Sequence, residues 1–135
     1  MNLTEIVKAE GNEKHFEYKG FDCLILRTRP ETLGHLCGYV QIPKGHKLYD
    51  LSYNEIEEKH NYDVPAHGGL TFDGELQDQQ GHWIGFDCAH SGDISPMSTM
   101  YFDYRGTYKD MAYVENSIKE IVDFIKEREH SERFR

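Results

Sequence analysis

The chain has 135 residues, of which 38% are hydrophobic and 29% are charged, and its formal net charge is −9. The length suits one domain, residues 1–135, and no apolar run approaches the roughly 18 residues that a membrane span needs. The acidic balance excludes general binding to polymeric nucleic acid, because that affinity comes from cations that neutralise many phosphates.

The N-terminal segment and the cysteines indicate the compartment. MNLTEIVKAEGNEK mixes acidic with basic residues and has no apolar signal region. The cysteines are Cys23, Cys37 and Cys88, an odd number without CxxC spacing, so we expect reduced thiols rather than a disulfide framework. We therefore expect a water-soluble, cytoplasmic protein.

The N-terminal part of the chain predicts a short helix and then a β-hairpin. NLTEIVKAEG is typical of a helix that ends at Gly11. KHFEYKGFDCLILRTR predicts two strands joined by a turn at Lys19 and Gly20, with Pro30 ending the second strand.

A third strand and a second short helix are predicted next. LCGYVQI, from Leu36 to Ile42, is apolar and is followed by Pro43, which cannot donate to a sheet ladder. Ser52 and Glu55 have the spacing of a capping box, which predicts a helix over SYNEIEEKH.

The C-terminal segment predicts an amphipathic helix from about Asp110 to about Arg128. Its apolar stripe includes Val114, Ile118, Ile121 and Ile125, which we expect to be buried against a sheet. The order of elements predicts an α+β domain: a mostly antiparallel sheet with one long C-terminal amphipathic helix packed on one face.

HGGLTFDGELQDQQGHWIGFDCAHSGD predicts two further strands, His67 to Asp73 and His82 to Cys88. Because side chains alternate between the faces of a strand, one face of this hairpin should be polar. In the pairing that we expect, Thr71 faces Trp83, Gly69 faces Gly85 and His67 faces Asp87.

This polar face is the candidate ligand site. Two facing glycines beside Trp83 would leave a slot for a ligand, and Asp87 would orient the imidazole of His67. Glycines inside strands also mark bulges or close packing, and an isolated histidine on a sheet is often only exposed, so these alternatives stay open. Cys88 points to the core in this arrangement, while His90 and Asp93 follow in a loop.

Metal and cofactor sites are not predicted. His67, His82, Cys88, His90 and Asp93 are suitable ligand types, but HxxxH, HxH and HExxH spacings are missing. Nucleophile-elbow, Walker and dinucleotide motifs are missing as well, so we expect neither a metal nor a cofactor.

Basic residues give a second indication of the ligand. Arg27 and Arg29 share a strand face, and Lys44, His46 and Lys47 lie in the loop after the third strand. Such a patch suits phosphate, although the same residues could be solvated charges that balance nearby glutamates.

Four motifs, CGYVQIPKGHKLY, HGGLTF, WIGFDCAHSGD and YKDMAYVENSI, resemble a widespread family of small proteins of bacteriophages and bacteria. The resemblance spans about three quarters of the chain, from Cys37 to the last helix. The resemblance implies that the chain is a phage sponge protein, which sequesters cyclic-nucleotide immune signals. Such a protein would be an oligomeric, non-catalytic binder in the host cytoplasm. The motif positions that would bind the ligand are His46, His67, Gly68, Gly69, Thr71, Trp83, Asp87, His90, Asp93 and Lys109.

Three functions follow, in order of preference. The first is a homo-oligomer that sequesters a small phosphate-bearing nucleotide, with Arg27 and Lys44 as further phosphate contacts. Its candidate stacking surfaces are Phe72, Trp83, Tyr101 and Tyr104, although the core is the favoured position for Phe72. The second is a small hydrolase of a phosphodiester or nucleotide, with His67, Asp87, His90 and Asp93 as its catalytic residues. The third is an inhibitor that binds another protein through the tyrosine-rich segment MYFDYRGTYKDMAY.

Overall fold

The computed structural model describes residues 2–29, 34–96 and 106–133. Within these ranges the chain forms three helices and five strands. In chain order they are α1 (Leu3–Glu10), β1 (Glu13–Tyr18), β2 (Phe21–Arg27), β3 (Leu36–Ile42), α2 (Tyr53–Lys59), β4 (Phe72–Leu76), β5 (Gln79–Asp87) and α3 (Met111–Arg133).

The strands form one antiparallel sheet in the order β1-β2-β3-β5-β4. The long C-terminal helix α3 packs across the central strands β3 and β2. The predicted α+β architecture is therefore confirmed.

The N-terminal half forms where its turn and cap residues predict. Asn2 caps α1, and Gly11 follows the helix with a φ of 82°, a conformation that glycine adopts without strain. Lys19 and Gly20 have φ values of 49° and 86° and join β1 to β2, as expected of a tight hairpin turn. β2 ends at Arg27, whereas Pro30 lies outside the described residues.

The capping box at α2 is also present. The Ser52 hydroxyl accepts the backbone N–H of Glu55 at 3.1 Å, and the Glu55 carboxylate accepts the backbone N–H of Ser52 at 3.2 Å. Both bonds satisfy donors that the first turn of a helix leaves free, so this local sequence fixes where α2 begins.

The apolar stripe of α3 forms the core with the sheet. Val114, Ile118, Ile121 and Ile125 are each 0% exposed, as expected. The helix extends beyond Arg128 to Arg133, and the Asp110 carboxylate accepts the N–H of Tyr113 at 2.9 Å at its start.

The close packing of α3 on β3 depends on a glycine. A Cβ at Gly38 would lie 2.7 Å from Cζ of Phe86 and 3.0 Å from Cγ1 of Ile118. The missing side chain therefore makes room for a ring from β5 and a branched chain from α3.

The second hairpin differs from the prediction. β4 begins at Phe72, so the predicted strand from His67 to Asp73 is wrong at its start. Gly68 and Gly69 have φ values of 69° and 88°, and the N–H of Gly69 donates to the carbonyl of Ala66 at 2.9 Å. Positive φ values are incompatible with an extended strand, so these glycines form a turn.

The predicted pairing across this hairpin is also wrong. Phe72 pairs with Gly85, and Gly74 pairs with Trp83, so Thr71 does not face Trp83 and Gly69 does not face Gly85. A Cβ at Gly85 would lie 2.5 Å from Cδ1 of Tyr39. Gly85 therefore makes room for a tyrosine ring rather than for a ligand.

In the described part of the chain, no helix combines the length and the apolar character needed to cross a bilayer.

Candidate functional site

Polar side chains from distant parts of the sequence meet at the end of the sheet where β5 finishes. We call them the Asp93 cluster. Its members are His67, Thr71, Asp87, His90, Asp93, Lys109 and Tyr113. They come from the turn before β4, the end of β5, the loop that follows it and the start of α3.

Asp93 is the centre of this cluster, and its side chain is only 2% exposed. Oδ2 lies 2.8 Å from Nε2 of His67 and accepts the backbone N–H of His90 at 3.0 Å, while Oδ1 lies 3.1 Å from Nζ of Lys109. Burial opposes ionisation of Asp93, but the hydrogen bonds from His67, the His90 amide and Lys109 outweigh it and lower the pKa. A buried carboxylate thus holds three donors in fixed positions.

His67 links the buried carboxylate to the surface. Its Nδ1 lies 2.7 Å from the hydroxyl of Tyr113, a side chain that is 40% exposed. Because an ionised Asp93 can only accept, Nε2 carries the imidazole proton, and Nδ1 is free to accept the tyrosine proton. The result is a hydrogen-bonded chain from Asp93 through His67 to Tyr113.

The backbone fixes Asp93 relative to Lys109. Asp93 forms a parallel β-bridge with Thr107: Ile94 donates to Thr107 at 2.9 Å, and Thr107 donates to Gly92 at 2.8 Å. The Lys109 ammonium also contacts the carbonyl and the hydroxyl of Thr107. These main-chain hydrogen bonds therefore fix the positions of Asp93 and Lys109, so their ion pair does not depend on the side chains alone.

His90 lies beside His67, with the ring centroids 5.7 Å apart. A Cβ at Gly68 would lie only 2.3 Å from Cδ2 of His90, so a glycine is needed there for the ring to fit. Nε2 of His90 is buried and lies 3.3 Å from Oδ1 of Asp87, an ion-pair distance without hydrogen-bond alignment.

Asp87 belongs to the cluster but does not orient His67, so the predicted pairing of these two residues is wrong. Asp87 instead accepts hydrogen bonds from Thr71 Oγ1 and from the backbone N–H of Ala89, both at 3.0 Å. The glycine turn carries His67 out of the strand, towards Asp93 and the start of α3.

His35, just before β3, adds a group that the sequence motifs did not indicate. Its Nδ1 is buried and has no hydrogen-bond partner among the described residues. Burial lowers the pKa of His35, although the charges of Asp87 and Asp93 act in the opposite direction. Tyr113 was missed as well, because in sequence it is only a polar-face position of a helix.

The prediction that Trp83 forms the wall of an open slot is wrong. It is 4% exposed, and its indole N–H donates to the carbonyl of Gln80 at 3.1 Å. The ring is thus a satisfied, buried side chain and has no free face for a base. Of the other stacking candidates, Tyr101 and Tyr104 lie outside the described residues.

Arg27 is not part of a phosphate-binding patch. Its side chain is 4% exposed and pairs with Glu10 at 2.9 Å. All five N–H groups of the guanidinium are used, at distances from 2.8 to 3.2 Å. The acceptors are the side chains of Glu10, Asn12 and Tyr108 and the carbonyls of Gly11 and Gly34.

His46 and Lys44 also lie away from the cluster. His46 pairs with Glu129 at 2.6 Å, and Glu129 is about 24 Å along α3 from Tyr113 at the usual helical rise. Lys44 lines a polar cleft of about 690 Å³ that also contains Asp50 and Asp73. The expected ligand-binding set is therefore divided between opposite ends of the molecule.

Neither a metal site nor a reactive thiol is found in the described part of the chain. Among the residues with a described structure, no three His, Cys, Asp or Glu side chains are arranged to hold a metal ion. Cys88 is 2% exposed, as expected for the core face, and burial raises the pKa of its thiol to about 12. Such a thiol stays protonated and is a poor nucleophile.

Comparison with protein-family profiles, with curated proteins and with solved structures finds no match to this chain. The resemblance to small phage proteins stays a prediction.

Proposed function

We propose that the protein binds and sequesters a small phosphate-bearing, nucleotide-like ligand at the Asp93 cluster. The observation that carries this proposal is the burial of Asp93 among His67, Lys109 and the amide of His90. Burying ionised groups is costly, and proteins concentrate such groups where they bind or react. The cluster borders the hydrophobic core, where the His67 ring lies 6.4 Å from that of Phe86, and its other side reaches the surface at Tyr113.

The exposed members of the cluster suit the parts of a nucleotide. For the phosphate, Lys109 supplies a positive charge beside Asp93, and the imidazole of His90 offers a further hydrogen-bonding group in the same cluster. For the base, Tyr113 presents an exposed ring, and Asp87 and Thr71 offer an acceptor and a hydroxyl for base edges.

Oligomerisation is part of the same proposal. Tyr113 lies at the surface, and small-molecule sites normally enclose most of their ligand, so a second copy would complete the enclosure. Light scattering with and without bound ligand tests this: dimers or larger species support it, and a monomer in both conditions contradicts it.

The proposed function is tested by direct capture. The protein is incubated with a panel of mono-, di- and cyclic nucleotides, passed through a desalting column and denatured, and the released molecules are chromatographed. Release of an intact nucleotide supports sequestration. Absence of any bound nucleotide, intact or cleaved, would contradict it.

Variants locate the site. Lys109→Met should reduce capture, because it removes the ammonium beside Asp93. Lys119→Met is the matched control: this lysine is also near the start of α3 but pairs with Glu115 at 3.2 Å on another surface. Equal capture by both folded variants would place the ligand elsewhere.

A further inference from the structure

We infer that the Asp93 cluster also has a covalent activity, in which the hydroxyl of Tyr113 attacks a phosphodiester and His67 accepts its proton. The inference rests on the proposed function for the class of ligand. The covalent activity differs from the proposed function in its outcome, because a bound phosphodiester would be cleaved rather than held.

The geometry has the three parts of an activated nucleophile. A hydroxyl, a base and a group that orients the base follow each other within hydrogen-bond distance: Tyr113 to His67 at 2.7 Å, and His67 to Asp93 at 2.8 Å. Serine–histidine–aspartate triads place the same three kinds of group in this order on unrelated folds, although there Nε2 faces the nucleophile and Nδ1 the carboxylate, whereas in this protein the two ring nitrogens exchange roles.

Burial distinguishes the roles of the three groups. The side chains of Asp93 and His67 are 2% and 15% exposed, whereas Tyr113 as a residue is 40% exposed. Exposure therefore increases from the orienting carboxylate to the tyrosine, as it must if only the last residue meets a ligand. A chain that served stability alone would not need its last residue at the surface.

The base is needed because the phenol does not ionise unaided. Burial raises the pKa of Tyr113, although the ammonium of Lys109, 5.7 Å from the ring centroid, acts in the opposite direction. Tyr113 therefore remains a neutral phenol at neutral pH, and it becomes a strong nucleophile only when Nδ1 of His67 removes its proton.

The first step balances within these residues and the substrate. A bond forms between the Tyr113 oxygen and phosphorus, and the bond from phosphorus to the leaving oxygen breaks. The phenol proton moves to Nδ1 of His67, and the resulting imidazolium, stabilised by Asp93, gives this proton to the leaving alkoxide. The products are an alcohol and a phosphotyrosyl protein.

Water completes the reaction. Nδ1 of His67, neutral again, removes a proton from a water molecule that attacks phosphorus, and the bond from phosphorus to the Tyr113 oxygen breaks. The phenolate takes the proton back from His67. A phenolate is a better leaving group than the alkoxide of a sugar, so the intermediate can turn over.

The activity is tested with bis(4-nitrophenyl) phosphate and with linear dinucleotides. Release of 4-nitrophenol and a nitrophenyl-phosphoryl adduct on Tyr113, found by mass spectrometry of an acid-quenched sample, are the expected results. Tyr113→Phe should abolish both, and His67→Gln should lower release by about a hundred-fold or more.

Tyr18→Phe is the matched control, since that hydroxyl donates to the carboxylate of Asp123 at 3.0 Å instead of to a histidine nitrogen. It should leave release unchanged. Wild-type protein without release or adduct, or Tyr113→Phe with unchanged release, would overturn the inference. Nucleotide capture by wild type and by Tyr113→Phe, which keeps the ring but cannot cleave, separates the two proposals. Capture of intact nucleotide by wild type without cleavage refutes only the covalent step, whereas no cleavage by wild type together with no capture by either protein refutes the binding function.

Discussion

Oδ2 of Asp93 lies 2.8 Å from Nε2 of His67, and the carboxylate is almost completely removed from solvent. The two residues come from different loops, on either side of the β4–β5 hairpin. Their contact fixes the tautomer of His67 and hence the direction in which a proton can move towards Tyr113. The stability of the site and its chemistry therefore depend on one ionised carboxylate.

Asp93→Asn should lower the free energy of unfolding by about 3 kcal/mol at neutral pH, because it leaves the Lys109 charge unpaired in a largely buried position. Urea unfolding measures this loss. Asp123→Asn, which breaks a largely exposed pair with Lys19, is the control and should cost far less. Equal losses would contradict the central role of Asp93.

Low pH should remove the stabilisation that the ionised Asp93 carboxylate gives to the fold. Since the folded protein holds the pKa of Asp93 below its ordinary value, the ionised carboxylate stabilises the fold fully above the unfolded pKa of about 3.9. As the pH falls through that value towards the lower folded pKa, the stabilisation is lost. The stability difference between wild type and Asp93→Asn should therefore shrink below about pH 4, and a constant difference would contradict this.

The two glycines of the turn should respond differently to alanine. Both have positive φ, which costs an L-residue about 1 to 2 kcal/mol. At Gly69 a Cβ meets nothing within 4 Å, whereas at Gly68 it meets the His90 ring. Gly68→Ala should thus be the less stable variant in thermal unfolding and the one that shifts the His90 resonances in an NMR titration. Equal effects would show that His90 does not need the space.

Gly38→Ala should destabilise the core by overpacking, by about 1 to 3 kcal/mol, because the new methyl group collides with Phe86. A smaller side chain should relieve the collision. Chemical unfolding of the double variant Gly38→Ala/Phe86→Leu should therefore show a smaller loss than the sum of the single losses. Additive losses would exclude direct coupling.

Arg27→Lys should destabilise the protein although the charge is kept. A lysine has one ammonium and cannot reproduce five hydrogen bonds from a planar fork. We expect a loss of about 2 kcal/mol in urea unfolding. The Arg29→Lys variant, changed at an exposed position, is the control and should lose much less; a stable Arg27→Lys variant would show that the fork is dispensable.

All three thiols should resist modification in the folded protein. Cys23, Cys37 and Cys88 are buried, and burial raises their pKa values to about 12, 11 and 12. Because only the thiolate reacts, an aromatic disulfide reagent at pH near 8 should label them at the rate of unfolding. Rapid labelling without denaturant would show that a thiol is accessible.

The sequence determined the local elements of this protein. The capping box at Ser52, the turn at Lys19 and Gly20 and the apolar stripe through Ile118 each predicted their structure correctly. These signals involve residues a few positions apart, and the chemistry of a cap, a turn or a helix face is present in the residues themselves. The α+β class follows from the order of such elements.

The same local reasoning failed at the glycines of the candidate site. Alternation predicted a strand through Gly68 and Gly69, but glycine allows positive φ as readily as negative φ, and the turn was formed instead. Every expected contact of His67 then changed. Alternation of side chains with a period of two residues predicts a strand reliably only where the side chains themselves restrict the backbone.

Only the tertiary structure decided which polar residues meet. His67, Asp93 and Tyr113 are separated by 26 and 20 residues in the chain, and they converge because the glycine turn, the Thr107 bridge and the start of α3 end at one edge of the sheet. The same convergence assigned Arg27 to a buried structural pair and left His46 at the far end of α3. Composition identifies groups able to bind or react, but a hydrogen bond requires an approach within about 3 Å, which the folding of the whole chain decides.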